Sequence, residues 1–521
     1  MKKSVVLWGL FVLYISNALP QTVTIDPNDH PQLVIKERNQ TIMDHEVVIS
    51  DRKLQPWTSY DNILRWSMNF LKYCPVYPTK FGDLPLYLVT SKLYKDGTFC
   101  YKQNNQGSNT YWGMETFKRY YMYFGDRDAL IPVKNLIERV FMYHTPQDWA
   151  WADVPRTQDD TPDAEYTDEH AGVDKICMVA LAYLNYYRFT GEKQYFDKAE
   201  SITRTVFKHC KKGSATESPL PFRVNLKTGQ ILDPYCSNMI LPVQLIDELM
   251  EFDTSIDRQE LLSKKDILIK WMMEYPMKNN MWSGYYEDVV SNFMNLNQQN
   301  PMETARYILK NPTVDPEYKK HIPALIDWVY HRFGVTKRYG ATSIMEQDGC
   351  FKEMSSHTAR YASIVAKWYG VCLDEKVREE ARASFALASY SAYNQYSKDS
   401  LAINYTGIGY IEPWFSDSYW DYLPHILDGI SELPEMLPTD QNHIFYSSSF
   451  LTNVNYGSDK ISYQAFHTSG TERIKLTFVP VVYGNGKPLS GKEWSFGKFR
   501  GVDNILIIHR KNVNQIEIIR K

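Results

Sequence analysis

The stretch Asp168–Phe189, DEHAGVDKICMVALAYLNYYRF, begins as a polar loop and continues as an apolar helix. Apolar residues recur in it with the i, i+3, i+4, i+7 spacing of one helix face, at Val173, Ile176, Cys177, Ala180, Leu181 and Leu184. The opposite face carries Met178, Val179, Ala182 and Tyr183. A helix that is apolar all round is buried on both sides. The stretch therefore predicts a helix in the inner layer of a helical fold.

The segment Glu375–Ala388 has a different pattern. Its apolar residues form a single stripe, at Val377, Ala381, Phe385 and Ala388. This pattern predicts a half-exposed helix of an outer layer. Helical signals run from Thr58 to about Ser431, with starts near Ser59, Tyr111, Asp126, Asp168, Lys193, Pro234, Ile256, Tyr285, Pro316, Ser355, Glu375 and Asp417. Buried helices that alternate with amphipathic ones predict two concentric layers.

A weak internal repeat supports this arrangement. The tetrapeptides Tyr123–Asp126 and Phe189–Glu192 and the tripeptide Trp368–Gly370 recur where one helix is expected to end. Glycine at such a point supplies the left-handed C-cap. Repeated helical hairpins indicate a closed ring or a solenoid, and six inner with six outer helices favour a closed (α/α)6 toroid. We expect the helix near Ser59 to close the ring against the helix near Asp417.

Residues 1–18 are predicted to be a secretory signal peptide. Lys2 and Lys3 precede the short apolar run Val5–Ile15, and Ser16–Ala18 offers the small residues that signal peptidase requires. No Cys follows the cleavage site to carry a lipid anchor, and no later stretch is long and apolar enough to span a bilayer. The protein is therefore expected to be secreted or periplasmic, without membrane contact after cleavage.

The rest of the chain divides into three predicted parts. Residues 19–57 form an extended arm, and residues 58–438 form the helical toroid. Residues 439–521 form a small antiparallel β domain, because period-2 runs such as Ile474–Phe478 alternate with turn signals such as Gly484–Gly486. The fold class is thus mainly α, with a C-terminal antiparallel β domain.

Composition narrows the function. The 521 residues are 44% hydrophobic, enough for a sizeable core, and the net charge of −3 gives no field that would gather nucleic acid. The aromatic content of 14% suits a sugar-handling protein, because flat rings pack against pyranose faces. Seven Cys without a CxxC pair indicate neither a zinc site nor a redox site, and Cys74 with Cys100 is the pair considered for a disulfide. No metal or cofactor is predicted.

The loops before the inner helices are predicted to be functional. Inner helices of a double ring run parallel, so their N-termini open onto one end. Those loops combine carboxylates with aromatic residues or histidines, which suits cleavage of a glycosidic bond by one acid and a second carboxylate. The predicted catalytic pair takes one member from Glu287 and Asp288 and the other from Asp168 and Glu169.

Side chains of the same loops are predicted to bind the substrate. Aromatic rings would pack on the sugar, and arginine or histidine would hold a carboxylate or sulfate. The predicted substrate-binding residues are Trp112, Arg156, Tyr166, His170, Trp282, Tyr286, His357, Arg360, Trp414, Tyr419, Trp420 and His425.

The stretches QDDTPDAEYTDEHAGVDK (158–175) and WFSDSYWDYLPHILDGISELPEM (414–436) carry a resemblance to known enzymes. With the signal peptide, ring and β domain, they resemble the secreted polysaccharide-degrading toroid enzymes of Bacteroidetes. Closest in type are those acting on uronic acids, the exo-acting β-glucuronidases and unsaturated glucuronyl hydrolases. The resemblance implies an (α/α)6 toroid and a uronate-containing oligosaccharide or polysaccharide as partner.

Three functions remain open from the sequence. The first is a secreted glycoside hydrolase that releases a sugar, a uronic acid by the resemblance, from a plant or host glycan by carboxylate acid/base catalysis. The second is a polysaccharide lyase that uses Tyr or His as base, for which Asn238, His357, Arg360 and Tyr419 are candidates. The third is a non-catalytic glycan-binding protein, which would keep the aromatics without paired acids.

Overall fold

The computed structural model describes residues 48–73, 76–79, 82–85, 90–93, 99–103, 106–157, 169–286, 295–338, 340–348, 350–390, 392–396, 401–404, 414–415 and 418–521. Within these ranges only the backbone is described at 76–106, 336–338, 350–352, 393–404 and 414–421. The predicted signal peptide, most of the predicted arm, Cys74 and the side chain of Cys100 lie outside the described part. The domain boundaries and the disulfide therefore stay predictions.

Twelve helices of at least ten residues occur in the described part of the chain. They are α1 (Tyr60–Tyr73), α2 (Gln106–Phe124), α3 (Ile131–Met142), α4 (Val173–Thr190), α5 (Lys193–Lys208), α6 (Ile240–Leu249), α7 (Arg258–Glu274), α8 (Gln299–Lys310), α9 (Tyr318–Phe333), α10 (Ser355–Cys372), α11 (Glu375–Ser389) and α12 (Ser418–Ile430). None of these described helices is long and apolar enough to cross a membrane.

The even-numbered helices form a closed inner ring. Each packs against the next, and α12 returns to pack against α2. The odd-numbered helices lie outside. The predicted (α/α)6 toroid with a small C-terminal antiparallel β domain is confirmed. The expectation that the helix near Ser59 closes the inner ring is wrong, because α1 is an amphipathic outer helix with one buried face, and α2 takes that place.

Burial distinguishes the two layers as the hydrophobic patterns predict. In the inner helix α4 every residue from Val173 to Tyr186 is buried. In its outer partner α5 burial is confined to one stripe, which includes Tyr195, Ala199 and Ile202. The inner helices are therefore covered on both faces, by their neighbours in the ring and by the outer layer.

The repeated glycines have two different uses. Gly125 and Gly191 are left-handed, with φ of 71° and 78°, at the ends of α2 and α4, as predicted. The same prediction is wrong for Gly370, because α10 continues to Cys372 and Leu373 takes the left-handed conformation. A Cβ at Gly370 would lie 2.6 Å from Oε2 of Glu432, so glycine serves close approach there.

Short strands lie before and between the helices of the ring. They are β1 (Ile49–Ser50), β2 (Lys53–Leu54), β3 (Val76–Thr79), β4 (Gly82–Pro85), β5 (Thr90–Leu93), β6 (Phe99–Gln103), β7 (His170–Gly172), β8 (Arg223–Asn225), β9 (Ile231–Asp233), β10 (Gly334–Arg338), β11 (Ala341–Gln347), β12 (Cys350–Met354), β13 (Ala392–Tyr396), β14 (Leu401–Asn404) and β15 (Trp414–Phe415). The sheet β7–β8–β9 precedes α4 and α6, and β12 runs directly into α10. These strands thus mark the ring end at which inner helices begin.

The C-terminal region forms two antiparallel sheets. The strands are β16 (His443–Ser447), β17 (Leu451–Tyr456), β18 (Lys460–Ala465), β19 (Gly470–Lys475), β20 (Pro480–Gly484), β21 (Lys487–Pro488), β22 (Trp494–Phe499), β23 (Val502–Arg510) and β24 (Gln515–Arg520). Their orders are β16–β19–β23–β22 and β17–β18–β24–β20–β21. Along β18 the buried residues alternate with more exposed ones, at Ile461, Tyr463 and Ala465.

The β domain covers the ring end at which inner helices finish. The imidazole of His443 stacks on Tyr123 near the end of α2, with ring centroids 3.9 Å apart. The Tyr456 hydroxyl donates to the carbonyl of Met122 over 2.7 Å, and the Val454 amide donates to the Tyr121 hydroxyl over 3.0 Å. The β domain therefore lies opposite the inner-helix N-termini.

Ion pairs fill the ring interior toward the β domain. Each inner helix contributes one charged member, namely Glu115, Arg188, Glu248, Arg306, Lys367 and Asp428. Nζ of Lys367 lies 2.8 Å from Asp428, which also pairs with Arg306. We call these six residues the charged floor. Asp428 of α12 thus links α8 and α10, Arg188 links α4 to α6, and Glu115 binds Lys118 and Arg119 of its own helix.

The contribution of Glu115 to the stability of the charged floor depends on pH. Burial raises the pKa of Glu115, but the charges of Lys118 and Arg119, each 2.6 Å away, outweigh burial and hold the pKa at about 2. A carboxyl group with a depressed pKa stabilises the folded state above its unfolded pKa, and that contribution is lost as the pH falls through the folded value.

We expect Glu115→Gln to make the free energy of unfolding depend less on pH in the acid range. The wild-type free energy of unfolding should fall between the ordinary glutamate pKa and about pH 2, while the variant should be less stable at neutral pH and vary less across that window. The measurement is urea-induced unfolding at a series of pH values. Glu138→Gln, in an exposed pair with Lys134, is the matched control. An unchanged pH dependence in Glu115→Gln would contradict the assignment.

In the β domain, Glu472 and Arg510 form a fully buried pair joined by two hydrogen bonds of 2.8 and 2.9 Å. Glu472→Ala leaves the guanidinium without its anion, so we expect a loss of about 3–5 kcal/mol in the free energy of unfolding. The control Glu517→Ala breaks an exposed pair with Lys460 and should cost less than about 1 kcal/mol. Calorimetry of both variants checks this, and equal losses would refute it.

Candidate active site

Buried polar side chains converge at the N-terminal ends of the inner helices. We call this set the polar crown. Its members lie close to the starts of those helices, with His425 deeper in α12. They are Asn109, Thr110, Trp112, Asp174, Lys175, Asn238, Gln298, Gln299, Asn300, Glu303, Ser356, His357, Arg360 and His425. Polar residues at such density in an otherwise apolar ring are expected only where they bind one another or a ligand.

Asp174 is the ordered carboxylate of the crown. Its Oδ2 accepts from Nζ of Lys175 and from Nδ2 of Asn238, both over 2.9 Å, and its Oδ1 accepts the Lys175 amide over 3.0 Å. The Asp174 side chain is fully buried in the first turn of α4. Three N–H donors, one of them cationic, therefore hold the carboxylate of Asp174 in a single orientation.

Lys175 ties Asp174 to a neighbouring loop. Its ammonium group donates to the carbonyl of Tyr285 and lies 3.6 Å from the centroid of that ring. The close approach of α2 requires Gly107, because a Cβ there would be 2.7 Å from Cβ of Lys175. Lys175 is thereby held by an anion, a carbonyl and an aromatic face.

The loop 282–286 is locked against the start of α6. The amide of Ser237 donates to the carbonyl of Ser283 over 2.9 Å. Gly284 has φ of 74°, and a Cβ there would lie 2.6 Å from the carbonyl of Tyr235. The turn therefore requires glycine, and it brings Tyr285 and Tyr286 into the crown.

Glu303 joins two arginines across the ring. Its Oε1 accepts from Nε of Arg360 over 3.1 Å, and its Oε2 accepts from Nε of Arg306 over 3.0 Å. Each arginine donates in turn to a histidine: Arg360 to Nδ1 of His357 over 2.9 Å, and Arg306 to Nδ1 of His425 over 3.0 Å. One carboxylate thus anchors groups from α8, α10 and α12.

Both histidines are neutral. Burial and then the charge of Arg360 lower the pKa of His357 well below its usual value. Burial lowers the pKa of His425 in the same way, and the charges of Arg360 and Arg306 add to the effect. The second nitrogen of His357, Nε2, lies 3.3 Å from the Tyr286 hydroxyl.

Trp112 connects the histidines to α2. The centroid of its ring lies 5.4 Å from the centroid of the His425 ring. The same centroid lies 5.3 Å from Cζ of Arg360. The indole is buried, with 4% of its surface exposed. The indole of Trp112 therefore lies beside the imidazole of His425 and the guanidinium of Arg360.

Many polar atoms of the crown are unsatisfied. Among the described residues, no hydrogen-bond partner exists for buried atoms of Asn109, Thr110, Trp112, Asn238, Gln298, Gln299, Asn300, Ser356 and His425. Native proteins hold few such atoms, because each costs about 1–3 kcal/mol. Both donors and acceptors are represented. The arrangement fits a ligand with many hydroxyl groups.

The structure brings five of the predicted site residues together in or beside the crown. Trp112, His357, Arg360 and His425 belong to it, and Tyr286 reaches it through His357. The predicted roles of these residues stay predictions. The distances between them come from the structure, because the spacing of the sequence does not contain them.

Other predicted residues lie elsewhere. Glu169 and His170 are at the rim beside β7, and the Glu169 carboxylate binds Lys227 over 3.2 Å, which helps to lower its pKa. Arg156 lies 5.2 Å from the ring centroid of Trp149. Trp282 is completely buried in the hydrophobic core, and its indole N–H donates to Asn280 over 3.3 Å.

Several predicted residues are not described, or are described only in part. Trp414 lies in β15, and Tyr419 and Trp420 lie at the start of α12, with the backbone alone described. Tyr166, Asp168, Glu287 and Asp288 lie outside the described residues. Their roles stay predictions.

One expectation about local structure is wrong and explains part of the site. The inner helix expected to start near Tyr285 begins at Gln299. The described residues before it, 282–286 and 295–298, are not helical, and among them Gly284 is left-handed and Ser283 bridges to Leu296. The run Asn295–Asn300, NLNQQN, therefore supplies buried amides at the helix start instead of polar surface.

The sequence analysis missed Asp174, Lys175, Glu303 and Arg306 as site residues. A signal was present, because Glu303–Arg306 and His357–Arg360 repeat the i, i+3 spacing on helices that are otherwise buried. Charged residues on a buried helix must meet partners from other helices. In the described part of the chain, no group of three or more His, Cys, Asp or Glu could hold a metal ion.

Comparison with known proteins identifies the fold. No protein-family model matches the chain, and no curated protein matches it. Among solved structures, a D-mannose isomerase is similar over 72% of this chain and 98% of its own, at 12% identity and a TM-score of 0.51.

Two further solved structures are similar at lower scores. A sugar epimerase from a ruminal bacterium covers 76% of this chain and 98% of its own, at 11% identity and a TM-score of 0.49. An unsaturated glucuronyl hydrolase specific for heparin covers 71% and 98%, at 13% identity and a TM-score of 0.45. The predicted resemblance to (α/α)6-toroid enzymes is confirmed for the fold.

Proposed function

We propose that this protein is a glycoside hydrolase whose polar crown binds one sugar unit of an oligosaccharide. The observation that carries the proposal is the cluster of unsatisfied donors and acceptors at Trp112, Asn238, Asn300 and His425, among others, around an anchored carboxylate. A pyranose presents alternating hydroxyl donors and acceptors, and it can satisfy such a set where an apolar or single-headed ligand cannot.

Asp174 is the proposed base or nucleophile. A general base must be ionised and within reach of the substrate. The donors on Lys175 and Asn238 fix the orientation of the Asp174 carboxylate. Hydrolysis would then proceed by attack on the anomeric carbon, either by Asp174 or by a water that Asp174 deprotonates.

The general acid is proposed to be Glu287 or Asp288. The described chain leaves the crown at Tyr286, whose hydroxyl contacts His357, directly after Tyr285, whose carbonyl contacts Lys175. The two predicted acids therefore follow immediately on residues that touch the site. The acid would protonate the leaving glycosidic oxygen. Asp168 and Glu169 remain the other predicted candidates.

The proposed substrate is a uronate-bearing oligosaccharide, met outside the cytoplasm as the signal sequence predicts. Lys175 and Arg360 are each balanced by a carboxylate, Asp174 or Glu303. The converging inner-helix N-termini add positive potential to this balanced set. A substrate carboxylate is accordingly more favourable there than a second cation.

Asp174→Asn should lower kcat by about 10²- to 10⁴-fold, the usual share of acid/base catalysis. Purified protein is incubated with uronate-containing oligosaccharides while reducing sugar and ultraviolet absorbance are followed. Asp197→Asn, on the outer helix α5 with its side chain 53% exposed, is the matched control and should retain full activity. Single amide variants of Glu287, Asp288, Asp168 and Glu169 identify the acid.

Each outcome separates the hypotheses. Release of sugar without a new chromophore, abolished by Asp174→Asn in a folded protein, supports the hydrolase. A growing chromophore of unsaturated uronate shows β-elimination and refutes it in favour of a lyase. Binding without any turnover favours a glycan-binding protein. Thermal unfolding of Asp174→Asn, compared with the wild type, checks that the variant is folded and that any loss of activity has another cause.

A further inference from the structure

The relay that starts at Glu303 determines which histidine nitrogens carry protons. Arginine can only donate hydrogen bonds. Nδ1 of His357 lies 2.9 Å from NH1 of Arg360, so this nitrogen must accept. A neutral imidazole carries one proton, which is therefore on Nε2. That N–H points to the Tyr286 hydroxyl, 3.3 Å away.

His425 repeats the arrangement on another helix. Its Nδ1 lies 3.0 Å from NH2 of Arg306, so the proton again resides on Nε2. This Nε2 has no hydrogen-bond partner among the described residues, although only 1% of the residue is exposed. A buried N–H without a partner is costly. It is satisfied when a ligand oxygen accepts from it.

We propose that Glu303 is a positioning residue that, through Arg306 and Arg360, locks His425 and His357 in the tautomer with the proton on Nε2. His357 then donates to the Tyr286 hydroxyl, and His425 donates to an acceptor oxygen of the bound sugar. The proposal rests on the proposed function and deepens it, because it states what the site asks of its ligand. The ligand must offer one oxygen lone pair, from a ring, glycosidic or carboxylate oxygen, beside His425 and Trp112.

Glu303 binds the two arginine–histidine pairs, Arg306–His425 and Arg360–His357, in the same way. Its two oxygens bind Nε of Arg360 and Nε of Arg306 at nearly equal distances, 3.1 and 3.0 Å. Nε lies on the stem side of the guanidinium, so a carboxylate there orients the terminal nitrogens toward the imidazoles. Arg306 is further held by Ser363 over 2.8 Å and by Asp428. Arg360 has no exposed surface at all.

The lock has a chemical consequence. A base needs a lone pair on the nitrogen that takes the proton. In both histidines Nδ1 accepts from an arginine and Nε2 carries the proton, so neither can abstract a proton. This excludes both histidines as the base of a β-elimination, for which a tyrosine or a carboxylate would remain.

The first test needs no substrate. The full chain is labelled with ¹⁵N-histidine, and two-bond ¹H–¹⁵N correlation spectra are recorded between about pH 6 and pH 9. Loss of signals in His357→Gln and His425→Gln assigns the two residues. We expect both to show the proton on Nε2 throughout this range. His144 is the internal reference, because its Nδ1 donates to the carbonyl of Asp153 over 2.9 Å, and should show a protonated Nδ1.

The second test separates Glu303 from the arginines. Glu303→Gln should release both histidines into tautomer exchange. Arg360→Lys should release His357 alone and Arg306→Lys His425 alone, because a single ammonium group cannot make both bonds of the guanidinium at once. The two lysine variants keep the test decisive if Glu303→Gln fails to fold.

Outcomes that overturn the proposal are specific. A protonated Nδ1 at either residue in the wild type, or unchanged spectra in Glu303→Gln, would do so. In the cleavage assay Glu303→Gln should lower kcat/KM by about 10- to 100-fold, the range for outer residues that orient functional histidines. A locked tautomer in an inactive protein would refute the proposed function and leave the lock standing.

Discussion

The contact between α12 and α2 is the constraint on which the molecule depends. Once the first and last inner helices meet, six parallel helices have their N-termini at a common end, and their side chains share one interior. Polar residues that would be exposed in an open solenoid then become buried. They must find partners across the axis, since an isolated charge or amide in such a place is expensive.

This constraint explains why the interior is layered. Toward the β domain, charges from different helices neutralise one another, as Arg306 and Lys367 do with Asp428. At the opposite end, amides, hydroxyls and indole N–H groups outnumber the partners within the described chain. Among the described residues, one atom of the charged floor, Nε of Arg188, lacks a hydrogen-bond partner, whereas nine residues of the crown hold at least one such atom. That difference, more than any single residue, supports the crown as the candidate site.

The fold was predictable because burial leaves a periodic trace. The all-round apolar character of Val173–Tyr186 specifies an inner position without knowledge of any partner. The single stripe predicted for α11 is only part of its buried surface, because every residue from Ala383 to Ser389 is buried. Prediction failed near Tyr285, where a left-handed Gly284 lies in the non-helical residues 282–286 and the next described helix begins at Gln299. It also failed at Gly370, which lies inside α10, while Leu373 takes the left-handed C-cap position.

Some residues of the candidate site were predictable, but Asp174, Lys175 and Glu303 and the partnerships within the site were not. Trp112, His357, Arg360 and His425 could be named from their place before or within inner helices. That Glu303 would bind two arginines, or that Asp174 would face Asn238, depends on distances across the ring. Sequence spacing contains no information on such distances, because the partners belong to different hairpins.

The β domain that covers the far end of the ring turns the toroid from a tube into a cup. His443 and Tyr456 contact the end of α2 at the base, and the ion pairs of the charged floor lie above them. The polar crown then faces the opposite end of the ring, at which the inner helices begin. A ligand of the crown would enter and leave by that one opening, so a long chain could not thread from one end of the ring to the other.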